Sequence, residues 1–268
     1  MQRKSSLATP LLVVMALCVP TDGLAQFRLL DAVKQKIEDK VEEAATRTLE
    51  GGEAQAADGG GASIVNRSFD FVPGDRVIYQ DNLASSAPGR MPTSWKTDGS
   101  GEVVTLQGIP GQWLAMRESA HYKLGAPLDL PSRFTLEFDV VVAADKVKDL
   151  TTFTFGFAHD NSVASRNAGP INEVGLTYMN GDAGTVTSRA TDYYHPFDFN
   201  YSGYANRPMR VSIAVDGDQM KVYLDRTKIA DTRLFRGEPS RHFFMEAPIR
   251  MENGGTLAVS NFRFATFN

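Results

Sequence analysis

Apolar and polar positions alternate strictly in two neighbouring segments near the end of the chain. In 211–215 and again in 220–224 every second residue is apolar, and Asp216-Gly217-Asp218 stands between the two runs. A period of two is typical of a strand with one buried face, and Asp-Gly between two such runs indicates a tight hairpin turn. The pattern predicts two antiparallel strands joined at Gly217.

The same period recurs in short segments separated by Gly, Pro, Asn and Asp. The predicted strands are 76–79, 103–106, 112–116, 133–143, 152–158, 173–178, 209–216, 219–224 and 256–265. Many short strands without a long helical pattern predict an all-β, antiparallel two-sheet β-sandwich (a jelly roll) over residues 67–268. Trp95 and Trp113, each beside strand-like residues, are predicted to lie in the core.

The first 25 residues have the composition of an export signal. Arg3 and Lys4 precede an apolar run, and Gly23-Leu24-Ala25 puts small residues where a signal peptidase needs them. Two alternatives stay open: a lipoprotein signal ending at Cys18, and a retained membrane anchor, although the apolar run is shorter than the ~20 residues of a spanning helix. Cys18 is the only cysteine, so cleavage after Ala25 would leave an exported protein without thiols or disulfides.

Between the signal and the sandwich lie two further zones. Apolar residues recur every three or four positions from Phe27 to Leu49, which predicts an amphipathic helix over 26–50. That helix would self-associate or dock a partner through 27–49, or it would be a lone solvated helix. Gly59-Gly60-Gly61 indicates a flexible Gly/Ala-rich linker over 51–66.

The formal net charge is −4 and the isoelectric point is near 5.6, with no cluster of Lys and Arg. Nucleic acid is therefore excluded as an expected partner.

Three segments together resemble the concanavalin A-like, laminin G-like jelly-roll superfamily. They are the strand Phe134–Phe138, the hairpin Ile213–Asp225 and the closing strand Leu257–Phe264. The resemblance implies a sandwich that binds its ligand through loops and one sheet face.

A narrower resemblance links this chain to the lectin-like region of some bacterial OmpA-family envelope proteins. It is carried by Phe69–Tyr79, Pro92–Trp95 and Gly99–Val104. It implies a periplasmic, outer-membrane-associated or extracellular location in a Gram-negative bacterium. The peptidoglycan-binding OmpA module of that family would follow the last strand, and the sequence ends at Asn268, so a cell-wall tethering role is not carried over.

Glu137 and Asp139 are spaced like the first two acids on the catalytic strand of laminarinase-type jelly-roll glycosidases. Retaining hydrolysis needs two carboxyl groups about 5–5.5 Å apart. The third acid would fall at Val141 or Val142, which are apolar. We therefore predict no enzymatic activity and keep Glu137 and Asp139 as ligand-binding candidates, with a degenerate glycosidase as the alternative.

Metal-binding signals are weak. His121, His159, His195 and His242 are scattered and make no metal-ligand spacing. Asp and Asn oxygens are ligands that calcium prefers, which leaves weak calcium candidates at strand ends that would otherwise form turns. They are Asp81, Asn82, Asp160 and Asn161.

The most distinctive stretch is 192–204, where aromatic and polar residues crowd one predicted loop. Aromatic rings stack on the C–H faces of sugars and also anchor protein interfaces. The ligand-binding candidates in this stretch are Tyr193, Tyr194, His195, Phe197, Asp198, Tyr201 and Tyr204. Inward packing of these rings over the sheet edge is the alternative.

These observations predict an exported, non-enzymatic, lectin-like module that binds a glycan or an envelope protein. A structural or assembly protein of the envelope, using the sandwich for protein–protein contacts, is the second hypothesis.

Overall fold

The computed structural model describes residues 69–163, 169–237 and 241–268. The predicted signal peptide, amphipathic helix and linker (1–25, 26–50 and 51–66) lie outside these residues. Within the described ranges, no helix has the length and apolar character needed to cross a membrane.

The described part of the chain is built almost entirely from strands. In chain order they are β1 (Arg76–Asp81), β2 (Trp95–Thr97), β3 (Gly101–Leu106), β4 (Ile109–Met116), β5 (His121–Leu124), β6 (Arg133–Ala143), β7 (Thr152–Ala158), β8 (Pro170–Thr177), β9 (Ala183–Ser188), β10 (Tyr193–Asp198), β11 (Met209–Asp216), β12 (Gln219–Leu224), β13 (Thr227–Arg233), β14 (His242–Glu246) and β15 (Thr256–Thr266). Short 3-10 turns occur at Val147–Asp149, Tyr178–Asn180 and Ser202–Tyr204.

The strands form two antiparallel sheets, which confirms the predicted sandwich. Sheet A has the order β13-β12-β11-β6-β15-β4-β3, and β1 also pairs with β15. Sheet B has the order β10-β9-β8-β7-β14-β5-β2. Each sheet therefore presents one face to the common core and one face outward.

The core between the sheets is dominated by aromatic rings. Phe138 of sheet A lies 5.3 Å from Phe155 and 5.6 Å from Phe243 of sheet B, measured between ring centroids. Trp95 packs 4.4 Å from Phe262, as its position beside a strand predicts. Each such fully buried side chain contributes roughly 1.5–3 kcal/mol of hydrophobic stabilisation.

Trp113 is also buried, but it lies in a smaller cluster on the outward side of sheet A. It packs there with Val141 and Ala258, which alternate with core residues along β6 and β15. Trp113 is therefore buried, as predicted. It lies in this smaller outer cluster and not in the core between the two sheets.

The predicted hairpin is present, with β11 and β12 paired from Val211–Leu224 to Asp216–Gln219. Gly217, the first of its two connecting residues, has a φ of +59°. A positive φ at this position is what a type II′ turn requires, and glycine supplies it without steric cost.

A strap of residues 69–75 crosses the outer face of sheet A before β1 begins. The ring of Phe69 lies 5.5 Å and that of Phe71 5.6 Å from the ring of Tyr223 on β12. The Asp70 carboxylate is 2.9 Å from Lys221 Nζ and 2.8 Å from Lys228 Nζ, and these lysines lower its pKa.

Further along the strap, Gly74 N–H donates to Thr135 Oγ1 of β6 at 3.0 Å. Arg263 of β15 donates to the Gly74 carbonyl oxygen at 2.7 Å. The strap therefore contacts strands from the far edge of sheet A to its centre.

Candidate functional site

Ionisable side chains gather on the outer face of sheet B, in a depression that we call the sheet B groove. Its lining comes from β5, β7, β8, β14 and the segment after β7, and consists of His121, Lys123, Ala158, Ser162, Val163, Gly169, Pro170, Glu173, Phe244 and Glu246. These residues are far apart in sequence, so the sheet order brings them together.

Strand alternation explains why polar side chains share this face with an aromatic ring. On β14, Phe243 and Met245 belong to the core, so the intervening Phe244 and the terminal Glu246 point outward. Phe244 pairs with Lys123 of β5, and Glu246 pairs with His121. The same alternation therefore brings an apolar ring, a cation and an imidazole to one side of the groove.

His121 lies between two carboxylates. Its Nδ1 is 2.8 Å from Asp98 Oδ2, and its Nε2 is 3.5 Å from Glu246 Oε2. The Glu246 and Asp98 carboxylates raise the pKa of His121, and partial burial opposes them. A protonated imidazole presents an N–H to each carboxylate, so the arrangement favours the imidazolium.

The stability of the domain should therefore depend on His121 protonation. Because the folded-state pKa lies above the ordinary value of about 6.5, the stabilising contribution is complete below about pH 6.5. It is lost as the pH rises through the folded-state pKa. Chemical unfolding of the wild type at a series of pH values across this range should show the free energy of unfolding fall as the pH rises. An NMR titration of the His121 imidazole should give the raised pKa directly.

The His121→Gln variant should lack this part of the pH dependence. Replacing His195, an exposed residue on β10, by glutamine is the matched control and should leave it in place. Equal pH profiles for wild type and His121→Gln would contradict the assignment.

Lys123 is a buried cation on the groove wall, with 5 % of its surface exposed. Its Nζ donates to the carbonyl oxygen of Asp160 at 2.6 Å, and Asn161 Nδ2 donates to the Leu124 carbonyl oxygen at 2.9 Å. Burial lowers the pKa of Lys123, and Asp160 opposes this effect. Asp160 and Asn161 therefore hold the segment after β7 against β5.

Glu173 of β8 lies across the groove from Lys123. Burial raises the pKa of its carboxyl group, and the nearby Glu246 adds to the effect, while Arg189 and Thr187 oppose it. A partly buried carboxyl that faces an open groove is a strong acceptor for hydroxyl donors from a ligand.

Glu137 and Asp139 lie on the outer face of sheet A, away from the groove. Arg210 Nε is 2.7 Å from Asp139 Oδ1, Asn261 donates to Asp139 Oδ2 at 2.7 Å, and Arg263 is 3.1 Å from Glu137 Oε2. Burial raises the pKa of Asp139, and Asn261 and Arg210 oppose it. Both predicted ligand-binding carboxylates are thus held by neighbouring side chains of sheet A.

The aromatic stretch is not a loop, which corrects the sequence-based expectation. Its first part is β10, the edge strand of sheet B, and its second part is a 3-10 turn. Side-chain alternation on β10 sends successive rings to opposite faces, and this divides the candidates.

Several of those candidates pack inward. Phe197 packs over Gly184. Tyr201 is fully buried, and its ring centroid lies 5.0 Å from that of Tyr178. The Tyr204 hydroxyl donates to the Asp225 carboxylate at 2.6 Å. Others face solvent or are partly covered: Tyr194 is 69 % exposed, Tyr193 is half-buried, and His195 and Asp198 are exposed.

The Asp81 carboxylate is surrounded by donors from its own domain. Its Oδ1 accepts from the Leu83 N–H at 2.8 Å. Its Oδ2 accepts from Ser94 Oγ at 2.6 Å, Trp95 Nε1 at 3.2 Å and Tyr79 OH at 3.1 Å. Burial and the Asp81 charge raise the pKa of Tyr79, which keeps that hydroxyl a donor.

Asn82 accepts the Ala84 N–H at 3.1 Å, and Asp160 accepts the Ser162 N–H at 2.8 Å. These are turn contacts. Among the described residues, no group of three or more His, Cys, Asp or Glu is placed to hold a metal ion.

In the sequence His121 is only one of four scattered histidines, and no motif marks Lys123, Glu173, Phe244 or Glu246 as functional residues. The usable signal is the alternation in 121–124, where His121 and Lys123 are interleaved with Tyr122 and Leu124.

No protein-family model matches the sequence, and no curated protein matches it either. Among solved structures, the chain is similar to a protein of unknown function with a galectin-like fold from Bacillus subtilis. The identity is 10 %, the TM-score is 0.50, and the match covers 72 % of this chain and 97 % of that one. The carbohydrate recognition domain of Emp47p is similar at 16 % identity and a TM-score of 0.50, over 71 % and 96 % of the two chains.

The fold is a galectin- and lectin-like β-sandwich of the jelly-roll class. The narrower resemblance to the OmpA-family lectin-like region stays a prediction.

Proposed function

We propose that this protein is an exported, non-enzymatic carbohydrate-binding module of the cell envelope, and that it binds glycan at the sheet B groove. The observation that carries the proposal is the convergence of Phe244, Lys123, Glu173 and the His121–Glu246 pair on one open sheet face. The carbohydrate recognition named for the similar Emp47p domain supports the same ligand class.

The chemistry of the groove suits a sugar ring. Phe244, Ala158 and Pro170 supply an apolar surface for C–H groups. The carboxylates of Glu173 and Glu246 accept hydrogen bonds from hydroxyls, and Lys123 is a cationic donor. A few placed polar groups around an apolar surface are typical of small-molecule sites.

The outer face of sheet A offers less to a ligand. The strap covers part of it, and Asp139 and Glu137 are neutralised by Arg210 and Arg263. This contrast between the two outer faces favours sheet B as the binding face.

Replacing Glu173 by glutamine should weaken glycan binding at least about tenfold, because hydrogen bonds to a charged group contribute roughly 1.5–3 kcal/mol. Glutamine preserves the shape of the side chain, so the fold should be retained. The measurement is a glycan array with neutral and acidic glycans, followed by calorimetric titration of the glycans that bind.

The matched control is Glu102→Gln, which changes an exposed carboxylate on β3 of sheet A and should bind like the wild type. Hydrolysis of the bound glycans should be followed in the same samples, because Glu173 and Glu246 are both acids of the groove. Glycan turnover that Glu173→Gln removes would overturn the non-enzymatic assignment, and a blank array would overturn carbohydrate binding.

A further inference from the structure

The sheet B groove is too small to enclose a ligand. It holds about 40 Å³, whereas pockets that enclose a small molecule usually hold roughly 300 Å³ or more. It has room for one substituent or the edge of one ring. A ligand bound there must therefore continue onto the open face of sheet B.

A row of directly paired residues leads away from the groove across five adjacent strands. It runs from Phe244 on β14 through Gly156, Glu173 and Thr187 to Tyr194 on β10. Adjacent strands lie about 4.8 Å apart, so the four steps from Phe244 to Tyr194 cover about 19 Å. A single hexose does not span that distance.

In the middle of this row the carboxylate of Glu173 lies between Gly156, which has no side chain, and Thr187, which is uncharged. The next row on the same face continues the pattern, with Thr154 opposite Gly175 and Gly175 opposite Thr185. The side chains of Thr185 and Thr152 lie 3.0 and 3.3 Å from the point where a Cβ on Gly175 would stand, and threonine hydroxyls both donate and accept hydrogen bonds. The face therefore forms a shallow hydroxyl-lined track between the groove and the edge strand.

Tyr194 ends the track with a large exposed ring. It is 69 % exposed, and its partner Thr187 is the cross-strand neighbour of Glu173. Tyr194, a binding candidate from the sequence, therefore lies in the same row of paired residues as Glu173 and Phe244 of the groove.

We propose that the ligand is an extended, neutral oligosaccharide several units long, which runs across the strands from the groove to Tyr194. The inference rests on the proposed function and adds the class of ligand. Hydroxyl-rich, uncharged chains match a track that presents threonine hydroxyls beside a single carboxylate, Glu173. The ring of Tyr194 gives a sugar face a stacking surface at the far end.

The test is a length series of neutral β-glucan and neutral mannan fragments, from disaccharide to octasaccharide, titrated into the wild type and Tyr194→Ala. Affinity should rise with length until the fragment reaches Tyr194. Tyr194→Ala should lower affinity about tenfold for the long fragments and leave the shortest unchanged, as loss of one aromatic anchor would. Because Tyr194 is exposed, the variant should fold.

Val72→Ala, an exposed apolar residue on the strap of sheet A, is the matched control and should bind every fragment like the wild type. Affinity that is independent of length, or no effect of Tyr194→Ala on long fragments, would overturn the extended ligand.

Binding of acidic alginate fragments alone would also overturn the extended neutral ligand, while the proposed function would stand if Glu173→Gln weakened that binding. Failure of every glycan, neutral and acidic, would instead remove the proposed function itself.

Discussion

Replacing Gly156 by alanine is expected to lower the free energy of unfolding by about 3 kcal/mol, as severe overpacking does. A Cβ at this position would overlap the backbone carbonyl oxygen of Asn172 on β8. Gly156 is paired with Phe244 on one side and Glu173 on the other, so its strand cannot shift without disturbing both ladders. Urea unfolding followed by tryptophan fluorescence measures the change.

Gly203→Ala is the matched control. A Cβ there has open space around it, so the free energy of unfolding should change by no more than about 0.5 kcal/mol. A Gly156→Ala protein as stable as this control would show that β7 and β8 are not packed as described.

The Asp81→Ala variant should also lose about 3 kcal/mol of stability, because it removes the acceptor for several donors at once. The Leu83 N–H, the Ser94 hydroxyl and the Trp95 indole N–H would all lose their partner. These donors connect the end of β1 to the start of β2, and therefore sheet A to sheet B. Thermal and urea unfolding measure the loss.

Asp81→Asn keeps one acceptor oxygen and should cost less stability, and Asp129→Ala, at an exposed position, should cost little. A calcium ligand would behave differently: added calcium would raise the stability of the wild type, and Asp81→Ala would abolish that rise. This calcium-dependent pattern would contradict an anchoring role for Asp81 through hydrogen bonds alone.

Strands with one buried face could be predicted from sequence because alternation is a local signal. The segments Arg133–Ala143, Met209–Asp216 and Gln219–Leu224 have the predicted bounds. The strand Tyr193–Asp198 was missed, since Pro196 is disfavoured in strands. An edge strand tolerates proline because its outer N–H groups need no partner.

The groove could not be predicted, and the reason is physical. In His242–Glu246 three apolar residues follow one another, so the sequence does not say which of them faces outward. The answer comes from the pairing of Phe244 with Lys123 and Gly156, which lie about ninety to one hundred and twenty residues earlier. Local patterns carry no information on such register.

The strap on sheet A determines how the domain would bear mechanical load. Tension on the chain before Phe69 reaches the contact of the Phe69 ring with Tyr223 first, and then the ion pairs of Asp70 with Lys221 and Lys228. It is then shared with β12 and β13 at one edge of the sheet before it reaches the hydrogen bonds between β1 and β15. Force applied from that end is therefore shared by several strands of sheet A, and the hydrogen bonds between β1 and β15 are not the first to be loaded.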